Sequence, residues 1–429
     1  PLGFDAAEYE VPYTVTTITA STFKNVKSLK KVVFANAPEG KTAGELTFGA
    51  SAFEASGLTE ITLPARTKSL GNYIFKNCTS LVSVDFEDGY SYGSLPTAAF
   101  YGCSALTDIR LPGEITSIGT QVFYNNAALE TVTFGITKTG VVSQLTRIGG
   151  YAFFGCSSLA TLQTEQPVKD SETGKITGVT YVEKLPDSIT EFGNSDNAAT
   201  GNGPFTKCTS LQSITIPDGV ENINGSAFSG CTALETVNLP KSLKTIYSSA
   251  FSDCTSLKTV NFNKDTSGVT IQQKAFLNCS SLESFDFTKV GSLSGHGNIF
   301  QNCTSLKSVT IGENVTKASG ANLFDGCTAL KTVEFKPGDA TTTLGGKAFL
   351  DCTALEKAVI GDNVTKIGSS AFENCTALTT FTIAGANAAL TTVDSKAFLN
   401  CTSLKQFVFP SSVTTIGSNA FEGTESLTA

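Results

Sequence analysis

Phenylalanine recurs along this chain at Phe23, Phe53, Phe75, Phe100, Phe123, Phe153, Phe205, Phe228, Phe251, Phe276, Phe300, Phe324, Phe349, Phe372, Phe398 and Phe421. The commonest interval is 23 residues, and most lie between 22 and 26. Repeats of roughly 20–50 residues signal coils in which one turn cannot bury its own apolar face and does so only against its neighbours. A length of 429 residues would otherwise suggest two or three domains, but a solenoid grows one turn at a time. The expectation is a single solenoid domain over residues 1–429, with about sixteen repeats between about 11 and 427.

Each column of the repeat has a physical reading. Two clean units are Ile216-Pro217…Val220…Ile223…Ala227-Phe228…Cys231…Leu234…Val237 and Leu239-Pro240…Leu243…Ile246…Ala250-Phe251…Cys254…Leu257…Val260. The spacing in Leu211, Ile214, Ile216 and in Leu330, Val333, Phe335 ends in period-two alternation, which predicts a short strand with one buried face. A second apolar pair, as in Val364 and Ile367 or Val413 and Ile416, predicts a second short strand or extended turn. Gly71, Gly119, Gly149, Gly345, Gly368 and Gly417 follow that pair and are read as permitting a sharp corner. The Ala-Phe-x-x-Cys stretch is read as one turn of 3₁₀ or α helix. It is closed two residues after Phe by Asn, Gly or Asp in all coils but those with Ala55 and Lys207. The fold class is therefore a β-rich right-handed coil of parallel sheets of short strands joined by short helical turns.

Composition removes several functions. The net charge is −8, and Arg occurs only as Arg66, Arg110 and Arg147, so the basic footprint that nucleic acid requires is missing. No stretch approaches the ~18 apolar residues of a spanning helix, so this segment is not expected to insert in a membrane. The chain begins Pro1-Leu2-Gly3-Phe4 and stops at Leu427-Thr428-Ala429 inside a repeat. It is read as a piece of a longer protein whose targeting and anchoring segments lie outside it.

The combination Ala-Phe-x-x-Cys-[Ser/Thr]-x-Leu-x-x-[Val/Ile]-x-[Phe/Ile/Leu]-Pro, in register from about Val11 to Leu427, resembles the BspA-like, or treponemal-type, leucine-rich repeat. The resemblance implies a curved solenoid with a parallel sheet on one face. It also implies a surface or secreted protein of a mucosa-associated microbe, with adhesion to host proteins or other cells as an activity, and no catalytic residues to carry over. Departures are local: Thr164 breaks a strand's last apolar column, Ser319 replaces an Ile, and Val26, Ser56, Asn126 and Thr424 replace Cys.

All twelve cysteines stand three residues after a motif Phe. An even count in an extracellular protein normally suggests disulfides. Here the period places them in an inward column, where Cys packs as a small apolar residue, and stacked side chains suit a disulfide dihedral poorly. Free buried thiols are expected, without zinc or any other cofactor. His296, the single histidine, is read as an exposed residue in the Gly/Ser-rich loop Gly291–Gly297. Sequons such as Asn77-Cys78-Thr79, Asn302-Cys303-Thr304 and Asn374-Cys375-Thr376 are read as by-products of the repeat.

Two surfaces are candidates for binding. The solvent column of the main sheet carries Asp85, Arg110, Thr133, Thr215, Asn238, Asn261 and Asp286, beside a column of Ser and Thr. An aromatic group follows the motif Phe on three successive coils, at Tyr101, Tyr124 and Phe154, with Tyr90 and Tyr92 in a nearby loop. The interval from Phe153 to Phe205 adds an inserted β-hairpin at about 165–184, with a turn at Glu172 to Lys175. Buried columns of apolar residues and thiols offer no convergent polar pocket, so the chain is read as no enzyme. The expected function is a monomeric protein-binding or adhesion scaffold, extracellular or at a cell surface. The competing reading is a rigid spacer that presents another domain.

Overall fold

The computed structural model describes residues 7–193, 202–294, 297–312, 315, 320–336, 342–384 and 388–428. Within these the chain divides into two compact units, one of residues 7–193 with 202–220 and one of the described part of 221–428. Pro1–Phe4, His296, Ser319 and Gly201 lie outside the described residues. Each unit is a β-solenoid of parallel sheets with almost no helix, the class that the period demands.

In the first unit the Leu-x-x-Val segment of each coil forms a short strand that pairs in parallel with the next. Glu8–Val11, Lys31–Phe34, Glu60–Leu63 and Ser83–Phe86 make one sheet, and Asp108–Leu111, Thr131–Phe134 and Thr161–Lys169 continue in another. The second apolar pair also forms strands, in the sheet of Ser94–Leu95, Ser117–Ile118, Arg147–Ile148 and Glu191–Phe192. The second unit repeats the scheme, with Ser308–Ile311, Thr332–Phe335, Lys357–Gly361 and Thr380–Ala384 in one series and Asn222–Ile223, Thr245–Ile246, Val269–Ile271 and Val290–Leu293 in the other. Outside local irregularities at Leu46/Thr47, Val269/Thr270 and Thr342/Thr343, parallel pairing is in register, because a one-residue slip would turn each buried Val outward.

The expected helical turn at Ala-Phe-x-x-Cys does not form. The only 3₁₀ helix among the described residues is Phe287–Lys289. The turn contains two left-handed residues, one two positions before Phe and one two positions after, as at Tyr73 (φ 62°) and Asn77 (φ 58°) around Phe75. Alternate amides therefore bond within the coil and across to the next. Lys76 N–H donates to Tyr73 O (3.0 Å) and Cys78 N–H to Phe75 O (3.1 Å), while Tyr73, Phe75 and Asn77 donate to Thr97, Ala99 and Tyr101 at 2.6–2.9 Å. A helix would spend all of these amides inside one coil; the two left-handed residues release half of them to hold the stack together.

Fifteen of the sixteen motif phenylalanines are buried, and Phe421 is half-buried. Their rings stack face to face along each unit. From Phe23 to Phe205 in the first unit, consecutive centroids are 5.1–5.6 Å apart. From Phe228 to Phe421 in the second they are 5.1–5.4 Å apart. The glycines after the second strand owe their place to crowding, since they do not adopt positive φ. A Cβ on Gly149 would lie 2.6 Å from Gly119 backbone, and one on Gly417 would lie 2.2 Å from Ser395 N. The coils approach too closely there for any side chain.

All twelve cysteines are buried and unbridged. Eleven thiols donate to the carbonyl of the motif Phe of a preceding coil at 3.0–3.3 Å, as Cys103 Sγ does to Phe75 O and Cys401 Sγ to Phe372 O. The same carbonyl accepts the N–H three residues on in its own coil, of Cys in most coils and of Ser56 or Asn126 at Phe53 and Phe123, so the thiol fills the second lone pair of a buried acceptor. That is why the column holds Cys in preference to Ala. Burial raises these thiols, Cys401 to about 12, and keeps them protonated and unreactive.

Candidate interaction surface

Side chains alternate in direction through the Ala-Phe-x-x-Cys turn, so the residue after the inward Phe faces outward. Stacking then brings one coil's outward residue over the next. In the first unit this column holds Lys76, Tyr101, Tyr124 and Phe154. Tyr101 and Tyr124 stack at 4.7 Å with their planes 2° apart, and Tyr124 and Phe154 at 4.6 Å and 7°. Tyr151, from the left-handed position before Phe153, stands edge-on to Tyr124 and Phe154. Lys76 Nζ lies 5.1 Å from the Tyr101 ring centroid and 5.2 Å from that of Tyr73, and Lys207 Nζ lies 5.6 Å from that of Phe154. The result is a half-buried ladder of three rings with an ammonium group at each end.

This geometry limits what the ladder can contact. Its ring faces are taken up by one another and by the lysines, so the rings present their edges and the two phenol hydroxyls. Burial, with Tyr101 and Tyr151 adding, raises the Tyr124 phenol, so it stays a neutral donor and acceptor. Stacked rings lose little further freedom on binding, which favours them as rigid anchors.

Tyr90 and Tyr92 do not join it. Tyr90 is 2% exposed, with its ring edge-on to Phe86 at 4.8 Å and its hydroxyl buried without a hydrogen-bond partner. Burial raises that phenol strongly. Tyr90 does lie in a loop, but the loop folds back and covers the ring. Tyr92 is half-buried.

The polar column is less uniform than its sequence. In the first unit Asp85, Arg110 and Thr215 are exposed, but Thr133 is 8% exposed and covered by Gln163, whose carboxamide donates to its hydroxyl at 2.9 Å. Arg110 is held by Glu165 through two bonds of 2.7 Å. Glu165 is 2% exposed and also accepts from Ile136 N–H at 3.0 Å. Nothing in the sequence singles out Glu165, because its partners lie 55 and 29 residues away. In the second unit Asn261 is exposed and donates to the half-buried Asn238 at 2.8 Å. Asp286 is exposed but lies on no strand; it caps the Phe287–Lys289 turn, accepting from Thr288 N–H at 3.0 Å.

The inserted segment forms an antiparallel hairpin of Thr161–Lys169 with Ile176–Val182, so its first strand is the repeat strand prolonged. Thr164, polar at an apolar position, is buried and donates from its hydroxyl to Lys184 O at 2.7 Å, where the chain returns to the coil. The sequon nitrogens of Asn302 and Asn374 donate to Asn278 and Asp351 at 2.8 and 2.7 Å. Among the described residues no group of three His, Cys, Asp or Glu could hold a metal ion, and no helix is long and apolar enough to cross a membrane.

The family model for the BspA type leucine-rich repeat region matches in six copies, over residues 46–174, 136–195, 198–320 and 296–428. A leucine-rich repeat protein from Bacteroides ovatus has a similar solved structure, with a TM-score of 0.60 at 23% identity over 96% of this chain and 85% of that one. That likeness is one of fold. A leucine rich cell surface protein from Faecalibacterium prausnitzii is similar at 18% identity over 90% of this chain and 91% of its own, with a TM-score of 0.30, too low to carry an argument. No curated protein matches the sequence.

Proposed function

The chain belongs to the BspA-type leucine-rich repeat family, and on that footing we propose that it is a non-catalytic scaffold that binds protein. It is displayed on, or secreted from, a mucosa-associated microbial cell and adheres to a host matrix or cell-surface protein, or to another microbe. The observation that carries this reading is the ladder of Tyr101, Tyr124 and Phe154, half-exposed and flanked by Lys76 and Lys207. Exposed aromatic residues, tyrosine among them, are typical anchors of protein interfaces. Much of the outward surface elsewhere is polar, with inter-coil ion pairs such as Lys31–Glu60 and Lys258–Glu235, although Val82, Val168, Tyr181, Val182 and Val408 are also exposed.

The test is direct binding of the 429-residue chain to a panel of purified host matrix and cell-surface proteins and to whole microbial cells. At least one partner is expected to bind, and Tyr101→Ala with Tyr124→Ala to weaken it about tenfold or more, as expected for loss of central aromatic anchors. If no member of the panel is retained, the chain acts as a spacer. If the double variant binds as the parent does, the ladder is not the contact.

A further inference from the structure

The hairpin presents a free strand edge. Ile176–Val182 pairs on one side with Thr161–Lys169, and it is the terminal strand of its sheet among the described residues. Its residues, Ile-Thr-Gly-Val-Thr-Tyr-Val, include no charge and no proline, two of the devices by which exposed edges prevent pairing, and the one register irregularity lies towards the turn, between the pairs Val168–Gly178 and Lys169–Ile176. Tyr181 and Val182 are 56% and 41% exposed, as is Val168 at 40% on the neighbouring strand. The pair Pro167–Val179 fixes which backbone groups are free. Proline has no amide hydrogen, so this is a non-hydrogen-bonded pair of the hairpin, and the N–H and C=O of Val179 face outward. By alternation those of Tyr181 do too. No other backbone group of the described residues bonds to either residue from outside the hairpin.

The residues that flank the strand say what fits this edge. Lys175 precedes it and Glu183 follows it, four residues before and four after Val179. Both are exposed, and neither has an ion-pair partner among the described residues. We infer that this edge is an interface for a second copy of the chain, two Ile176–Val182 strands pairing antiparallel about a twofold axis at Val179. The two Val179 residues then exchange a pair of backbone hydrogen bonds. Each Lys175, just beyond the irregularity at Ile176–Gly178, comes to the same end of the seam as Glu183 of the other copy, so both charges find partners at once. The apolar edges of Tyr181 and Val182 lie within the same seam. Such a seam falls below the ~1,000 Å² typical of stable interfaces, so the dimer is weak, with a dissociation constant of roughly 10 μM to 1 mM. This departs from the monomer expected from the repeat alone, because a hairpin that leaves the coil acquires an edge that stacked coils do not have.

Sedimentation equilibrium of the whole chain over a concentration series to about 1 mM tests it. The parent is expected to dimerise. Val179→Pro removes an outward N–H that no bond within the hairpin uses and is expected to weaken association at least tenfold, with an unchanged circular dichroism spectrum. Lys175→Glu alone and Glu183→Lys alone each bring like charges together and are expected to self-associate less than the parent, whereas an equimolar mixture of the two recovers dimers, since each then supplies the charge that the other needs. A parent that is monomeric at the top of the series overturns the inference. So does a Val179→Pro variant that dimerises like the parent, or a mixture that associates no better than its separate components.

Discussion

Replacing Phe251 with alanine measures how much of the fold resides in the stacked spine. Phe251 is fully buried, with Phe228 and Phe276 stacked on its two faces at 5.3 Å each. Burial of a Phe side chain is worth about 1.5–3 kcal/mol, and each aromatic pair adds about 0.5–1.5. With two such pairs the sum is about 2.5–6 kcal/mol, which brackets the ~3–5 kcal/mol range for Phe→Ala in a packed core. Urea unfolding followed by circular dichroism gives the value, and hydrogen exchange should place the greatest loss of protection in the coils of Phe228, Phe251 and Phe276. A Phe251→Ala cost under about 1 kcal/mol, or a loss of protection no greater in those coils than elsewhere, would refute the view that stability is a sum of nearest-neighbour coil contacts.

Four further outcomes are expected. The buried thiols should resist a water-soluble thiol reagent at pH 8 in the native protein and react twelvefold per chain once it is unfolded; rapid native labelling would show them accessible. Because burial raises the native thiol pKa above its usual 9.0, the native state holds protons that the unfolded state releases, so stability should be full below about pH 8 and fall as pH rises through 9 to 10; a melting temperature flat over that window would contradict this. Arg110→Ala leaves the Glu165 carboxylate buried without its cation, and should cost about 1–3 kcal/mol, less than a fully buried pair because Arg110 itself is half exposed; faster proteolysis within the hairpin is the local readout. Ala55 holds φ 55°, where glycine is unstrained, so Ala55→Gly should stabilise the protein by about 0.5–1 kcal/mol in thermal unfolding, and a loss would mean that the Ala55 methyl packs usefully.

The aromatic ladder was legible because Tyr101, Tyr124 and Phe154 share one register position in consecutive coils, and stacking follows from register. Tyr90 was not, since it lies in a loop whose path no period describes. The second left-handed column, at positions such as Tyr73, Tyr151 and Lys274, escaped notice for another reason. Apart from Asn298, Asn322 and Asn419, its residues are not of the kind that advertises positive φ; the strain is borne by inter-coil hydrogen bonds that appear only when coils are stacked. The same absence of a local signal hid the non-helical turn.

The period in Phe, Leu, Val and Cys by itself determined that the chain forms stacked coils, which columns face inward, and that the cysteines are buried, because each is a consequence of one turn having nowhere else to hide its apolar side chains. Tertiary structure alone decided that the glycines serve close approach, that thiols cap the Phe carbonyls, that Glu165 restrains Arg110, and that the hairpin leaves one edge open. Each of these depends on a distance between residues some 20 to 55 positions apart, and short-range sequence patterns carry no information about such distances.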